Sequence, residues 1–187
     1  MSAEPTGSAY LPPATFRGST MGPTPSAECW ASSHSITVCI RDERTRMVLD
    51  TDEASCACEL RLGTQSLLRT WLHSRDSAQE DVDAMAAWAR TLIRPLIEPF
   101  HRTEPLDLIF AGEHTFMAAL LLGEGPLPSM GRQRVTDKAL ADWQSRFDIE
   151  ASHTDATLDV LATIILMRVF LEAAQLESAL VLGNTLS

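Results

Sequence analysis

No stretch of about 18 consecutive apolar residues occurs in this chain of 187 residues, so nothing in it is built to span a bilayer. The run Ile164-Ile165-Leu166-Met167 is flanked too closely by Asp159 and Arg168 for that. The N-terminus has no basic segment followed by an apolar one, which argues against secretion. Positive charge is scarce. Lys and Arg number 15 against 25 Asp and Glu, and the formal charge of −10 repels nucleic acid and anionic membranes alike. Cysteine is sparse, with only Cys29, Cys39, Cys56 and Cys58. Cys56 and Cys58 would alternate along a strand and share a face. A zinc site would need a two-residue gap and a second pair of like spacing, and neither occurs. The four are read as reduced structural thiols of a cytoplasmic protein, with no metal site. No Gly-x-Ser-x-Gly is present and no turn sets a Cys–His pair, which leaves a serine or cysteine hydrolase without support. No repeat at a fixed period is visible.

What is present suits one globular domain with an appendage, since 45% of the residues are hydrophobic and 21% charged. Residues 1–28 hold Pro5, Pro12, Pro13, Pro23 and Pro25 among Ser and Thr, without an apolar period. This tail is read as disordered, although a docking role would look the same. From residue 29 onward the pattern is ordered. Ser35 to Ile40 alternates and is rich in β-branched residues, residues 41–44 are a polar turn, and 46–49 and 56–62 supply two return strands. Thr64 caps a short helix through Leu72, and Ser77 with Glu80 forms a capping box for the next. In that second helix Val82, Met85, Ala89 and Ile93 repeat at helical spacing, and Pro95 and Pro99 limit its far end. Leu106 to Phe110 reads as a buried parallel strand before Ala111-Gly112, and a helix from Thr115 is stopped at Gly123-Glu124-Gly125-Pro126. Thr136-Asp137-Lys138 starts another helix. Residues 155–176 form a long helix that is apolar nearly all round, and Ala179 to Leu182 is the last strand.

In this order and spacing, residues 29–183 resemble the second lobe of the exopolyphosphatase/guanosine-pentaphosphate phosphohydrolase family. Glu59-Leu60-Arg61-Leu62-Gly63 is similar to the family's strand ending in a leucine-glycine pair. Ala111-Gly112-Glu113-His114-Thr115 and the helix behind it resemble the family's second glycine-threonine phosphate loop. The resemblance implies a single ribonuclease-H-like lobe of the actin/sugar-kinase type over residues 29–187: an α/β fold with a five-stranded mixed sheet and helices on both faces. The switch from alternating strands to buried runs separated by helices predicts that strands 106–111 and 179–182 add in parallel to the side of strand one.

The family's first loop, Asp-Ile-Gly-Gly-Gly-Ser-Thr-Glu, is set on residues 29–36, where Cys29 replaces the metal-binding aspartate. Ala31, Ser32 and Ser33 replace the glycines, and Ile36 replaces the glutamate. Glycine matters in such a loop because backbone N–H groups must approach a phosphate closely. The first lobe, with the general base, is not expected within these residues. The reading is therefore a degenerate lone lobe acting as a binding or regulatory module. Its partner would be a second copy or a separate first-lobe protein, and its ligand a phosphate-rich small molecule. The alternative is a phosphohydrolase for polyphosphate or guanosine pentaphosphate whose site another chain completes, and only that alternative calls for Mg²⁺.

The candidate phosphate-binding residues are Ser32, Ser33, His34, Ser35, Gly112 and Thr115. The first four would make a hydroxyl-and-imidazole anion site or else a plain polar lead-in to the strand. Glu113 and His114 are the catalytic candidates. They stand where a strand feeds a helix, the place where open α/β sheets bind ligands. They would serve as base and orienter, as two metal ligands, or simply as helix N-terminal groups.

Overall fold

A computed structural model describes residues 33–51, 54–71, 78–98, 107–122, 132–146 and 155–182. The 1–28 tail, Ser32, the side chains of Ser33 and His34, the Ser77–Glu80 capping box, Pro99 and the stop at 123–126 lie outside the described residues. Strands β1 (Ser33–Ile40), β2 (Thr45–Thr51) and β3 (Ser55–Leu60) come first. Helices α1 (Thr64–Trp71) and α2 (Ala78–Ile97) follow, then β4 (Asp107–Ala111), α3 (Glu113–Leu122), β5 (Arg132–Thr136), α4 (Asp137–Arg146), α5 (Asp155–Ala173) and β6 (Ser178–Leu182).

The sheet runs β3-β2-β1-β4-β6-β5. The meander β1-β2-β3 is antiparallel, and β4 and β6 join β1 in parallel, as the apolar runs require. The register aligns the C-terminal ends: Cys39 pairs with Ala111, and Ala111 with Leu182. The expected five strands are corrected to six by β5, which pairs antiparallel with β6 from Arg132↔Leu182 to Thr136↔Ser178. Val135 is its one described position buried in the core, so no apolar alternation announces the strand. Thr136 Oγ1 then accepts from Ala139 N at 3.2 Å and starts α4.

Among the described residues α1, α2, α3 and α4 each pack on α5, which places these five helices on one side of the sheet. Strand burial agrees. Ile36, Val38 and Ile40 of β1, Leu108 and Phe110 of β4, and Ala179 and Val181 of β6 are buried. The alternating Thr37, Cys39, Ile109, Ala111 and Leu180 are only half-buried. α5 is buried at every position from 161 to 167, and its Phe170 meets Phe110 edge-on at 6.2 Å. Aromatic pairs favour that geometry over a stacked sandwich. No helix among the described residues is long and apolar enough to cross a membrane.

Candidate functional site

The aligned C-terminal ends of β1 and β4 open onto a cleft of about 650 Å³. Its walls are the β1–β2 turn at 41–44 and the start of α3. In open α/β sheets this end of the parallel strands is where ligands bind.

The turn is tightly built. Arg41 N donates to Arg44 O at 2.9 Å. The first amides of α1 then donate into it: Thr64 N to Arg41 O at 3.0 Å, and Gln65 N and Ser66 N to Asp42 O at 2.8 and 3.2 Å. Those helix-start N–H groups would otherwise lack partners and attract an anion. Here the turn carbonyls occupy them. Gly63 makes the contact possible, because a Cβ there would lie 2.2 Å from Arg41 O and 2.5 Å from both Arg44 N and Asp42 O. Thr45, fully buried, fastens the other flank through Oγ1 to Leu62 O at 2.6 Å.

On the opposite wall Gly112 sits at φ +113°, in a region that L side chains rarely adopt. It turns the chain from β4 into α3, and a side chain there would meet Cys39 Sγ at 3.3 Å. Thr115 is buried, and its hydroxyl donates to Gly112 O at 3.0 Å, so it closes the first turn of α3. Glu113 is exposed on the positive end of the α3 dipole. His114 Nε2 lies 2.8 Å from Asp42 Oδ1 and thereby bridges the two walls.

The structure divides the candidate residues into two groups. Gly112, Glu113, His114 and Thr115 gather at the C-terminal ends of the strands. Ser33, His34 and Ser35 open β1 at its other end, where Ser35 pairs with Asp107 of β4. Four residue steps of strand, about 13 Å, separate that level from the Cys39↔Ala111 level. Sequence reasoning passed over Asp42, the partner of His114, and Cys39, which lines the same cleft. A charged turn reads as solvated, and a cysteine within a strand reads as packing.

Electrostatically the cleft is mixed. Arg41, Arg44 and Arg46 face Asp42, Glu43, Glu59 and Glu113. Arg44 Nη1 is bound to Glu59 Oε1 at 2.8 Å, and Glu43 pairs with Arg69 of α1. Among the described residues no group of three or more His, Cys, Asp or Glu is placed to hold a metal ion.

Strand order and cleft position define an open α/β lobe with a cleft at the ends of its parallel strands. In structure the chain is similar to Ppx/GppA exopolyphosphatases. A family member from Aquifex aeolicus matches at 13% identity and a TM-score of 0.65, over 81% of this chain and 53% of that one. An exopolyphosphatase from Cytophaga hutchinsonii matches at 12% identity and a TM-score of 0.64, over 81% and 54%. The type II variant of the Aquifex aeolicus Ppx/GppA phosphatase matches at 16% and 0.62, over 81% and 54%. At these identities the likeness is one of fold, and the chain spans about half the length of each structure. Neither a family model nor a curated protein matches the sequence.

Proposed function

We propose that this chain is a non-catalytic binding or regulatory module, a lone lobe of the exopolyphosphatase type that works in the cytoplasm. One observation carries the reading: the turn facing Gly112 is Arg41-Asp42-Glu43-Arg44, without a glycine, and its Asp42 holds His114. Two loops that grip one phosphate must lie at the same end of the sheet. The counterpart of the Gly112 loop is therefore the β1–β2 turn and not the start of β1.

Set on that turn, the family pattern Asp-Ile-Gly-Gly-Gly-Ser-Thr-Glu falls on Cys39-Ile40-Arg41-Asp42-Glu43-Arg44-Thr45-Arg46. Ile40 and Thr45 are retained. Cys39 stands at the metal-binding aspartate, Arg46 at the glutamate, and three long charged residues at the glycines. A side chain at each of those positions keeps a phosphate off the backbone amides, and Asp42 and Glu43 would repel it. On this setting the pattern's metal-binding aspartate, its glutamate and its close-approach glycines are all replaced.

A second reading rests on the His114–Asp42 pair. An imidazole oriented by a carboxylate is a general-base arrangement, and Glu113 stands beside it. Under that reading another chain, a second copy or a separate first-lobe protein, completes a phosphohydrolase, and Mg²⁺ enters with the partner. Release of phosphate from polyphosphate and from guanosine pentaphosphate, with Mg²⁺ present, separates the two. Background rates from the purified chain, with polyphosphate binding still measurable by calorimetry, support the module. Metal-dependent release that His114→Ala abolishes overturns it.

A further inference from the structure

The outer edge of β3 has no strand beside it among the described residues, and β3 lacks the devices that usually protect such an edge. Its sequence is Ser55-Cys56-Ala57-Cys58-Glu59-Leu60, with no proline, no lysine and no bulge. Its single charge, Glu59, is held by Arg44 of the same chain. We infer that β3 pairs antiparallel with β3 of a second copy, in a register centred on Ala57, so that two six-stranded sheets become one. The inference concerns the edge of the sheet and stands whether or not the cleft binds phosphate.

Hydrogen-bond phase fixes which residues are available. The bond from Arg41 N to Arg44 O makes Ile40↔Thr45 a non-hydrogen-bonded pair. Alternation then gives Arg46, Val48 and Asp50 to β1, while Thr45, Met47 and Leu49 bond β3. Their partners Leu60, Cys58 and Cys56 are used inward. The backbone groups of Ser55, Ala57 and Glu59 therefore point outward, and all three residues are exposed.

A symmetric pairing must match outward residue with outward residue, which leaves centres at 55, 56, 57, 58 or 59. Centres at 55 and 56 pair only the start of the strand. A centre at 59 sets Glu59 directly opposite its copy. A centre at 58 makes the two Glu59 side chains diagonal neighbours at about 7–8 Å, where like charges oppose pairing. The centre at 57 avoids both faults. Ala57 meets Ala57 of the second copy, Ser55 meets Glu59, and the carboxylates separate by two further positions. Small neutral residues occupy the middle, and Cys56 lies opposite Cys58 in a non-hydrogen-bonded pair. Such pairs have Cα atoms about 4.5 Å apart, within the span that a disulfide bridges.

The test is the mass of the full chain by light scattering across a concentration series. The unsubstituted protein is expected to move from one copy to two as concentration rises, and Ala57→Pro to stay at one. Proline at 57 removes an outward N–H and no bond to β2, which is the one setting where a strand tolerates it. A mild oxidant supplies the second readout on the unsubstituted protein, so the outcome does not depend on Ala57→Pro folding. Peptides containing Cys56 and Cys58 are expected to link between copies, and both Cys56→Ser and Cys58→Ser to lose the link. A single-copy mass throughout, or a dimer that survives Ala57→Pro with no linked peptide, overturns the inference. A link that persists in Cys56→Ser overturns the register.

Discussion

Replacing Gly63 by alanine is the sharpest test of how the cleft is built. The added Cβ would fall 2.2 Å from Arg41 O and 2.5 Å from both Arg44 N and Asp42 O. All three are backbone atoms, so no side-chain rotation relieves the clash, and the 41–44 turn has to move off α1. Overpacking at this level costs about 1–3 kcal/mol. The shift also stretches three backbone hydrogen bonds, from Thr64, Gln65 and Ser66, each contributing about 0.5–1.5 kcal/mol. Part of that loss is recovered by water, because the turn is exposed. A total near 3 kcal/mol follows, equivalent to about 6–12 °C in Tm for a domain of this size. Urea denaturation of the substituted and unsubstituted chains measures it, with an unchanged m-value as the sign that only stability moved. Amide exchange at Thr64 and Gln65 should quicken more than at the core of α5. A loss below about 1 kcal/mol would refute the close approach of turn and helix, since overpacking against rigid backbone starts at that value.

Gly112→Ala should cost about 1–2 kcal/mol, because φ +113° is strained for any L side chain and the methyl meets Cys39 Sγ; denaturation measures it. Glu113→Ala should lower stability by only about 0.3–1 kcal/mol, the size of a helix-dipole contact, and leave phosphate release at background in a Mg²⁺-supplemented assay. Arg90 makes a two-pronged contact with Glu172 at 2.8 Å for each bond, and a double-mutant cycle should return a coupling of about 0.5–1 kcal/mol that salt weakens. Burial pushes the Cys58 thiol above its usual range. The folded state therefore keeps the proton after the unfolded state has lost it, and this contribution to stability is present at neutral pH and fades as pH rises past the ordinary thiol value. Alkylation of Cys58 at pH 8 should accordingly be slower in the folded than in the denatured chain, as read by peptide mass.

The meander, the parallel additions and α5 are legible because each depends on burial that the residue pattern repeats. Ile36, Val38 and Ile40 alternate, Leu108 and Phe110 form a short apolar run, and positions 161–167 stay apolar through successive turns of helix. β5 escapes that logic. An edge strand with Val135 as its one described buried position has no period to detect, and only pairing with β6 defines it. Placement of the helices was equally hidden, since an apolar helix face does not say which side of a sheet it covers. The cleft was half legible. Gly112 and His114 stand out where a strand feeds a helix, but Asp42 is 72 residues away in the chain. The parallel register of β1 with β4 is what brings the two together, and register depends on the whole sheet.

Glycine is placed in this lobe in a way that bears on its chemistry. Gly63 is required because the backbone of the 41–44 turn lies against it, and Gly112 because the chain reverses there at positive φ. Both demands come from the fold and hold with an empty cleft. The 41–44 turn makes no such demand: no residue in it has positive φ, all four residues are exposed, and Asp42, Glu43 and Arg44 reach out to His114, Arg69 and Glu59. A glycine there would serve only a ligand that has to touch the backbone. Glycine thus stands where packing needs it and is absent where phosphate would, while Arg41, Asp42, Glu43 and Arg44 give the same turn a surface of fixed charge. Charges held outward on a rigid turn suit recognition of a partner or ligand by its own charges. On the proposed reading they take the place of the bare amides and the metal that transfer of a phosphoryl group calls for.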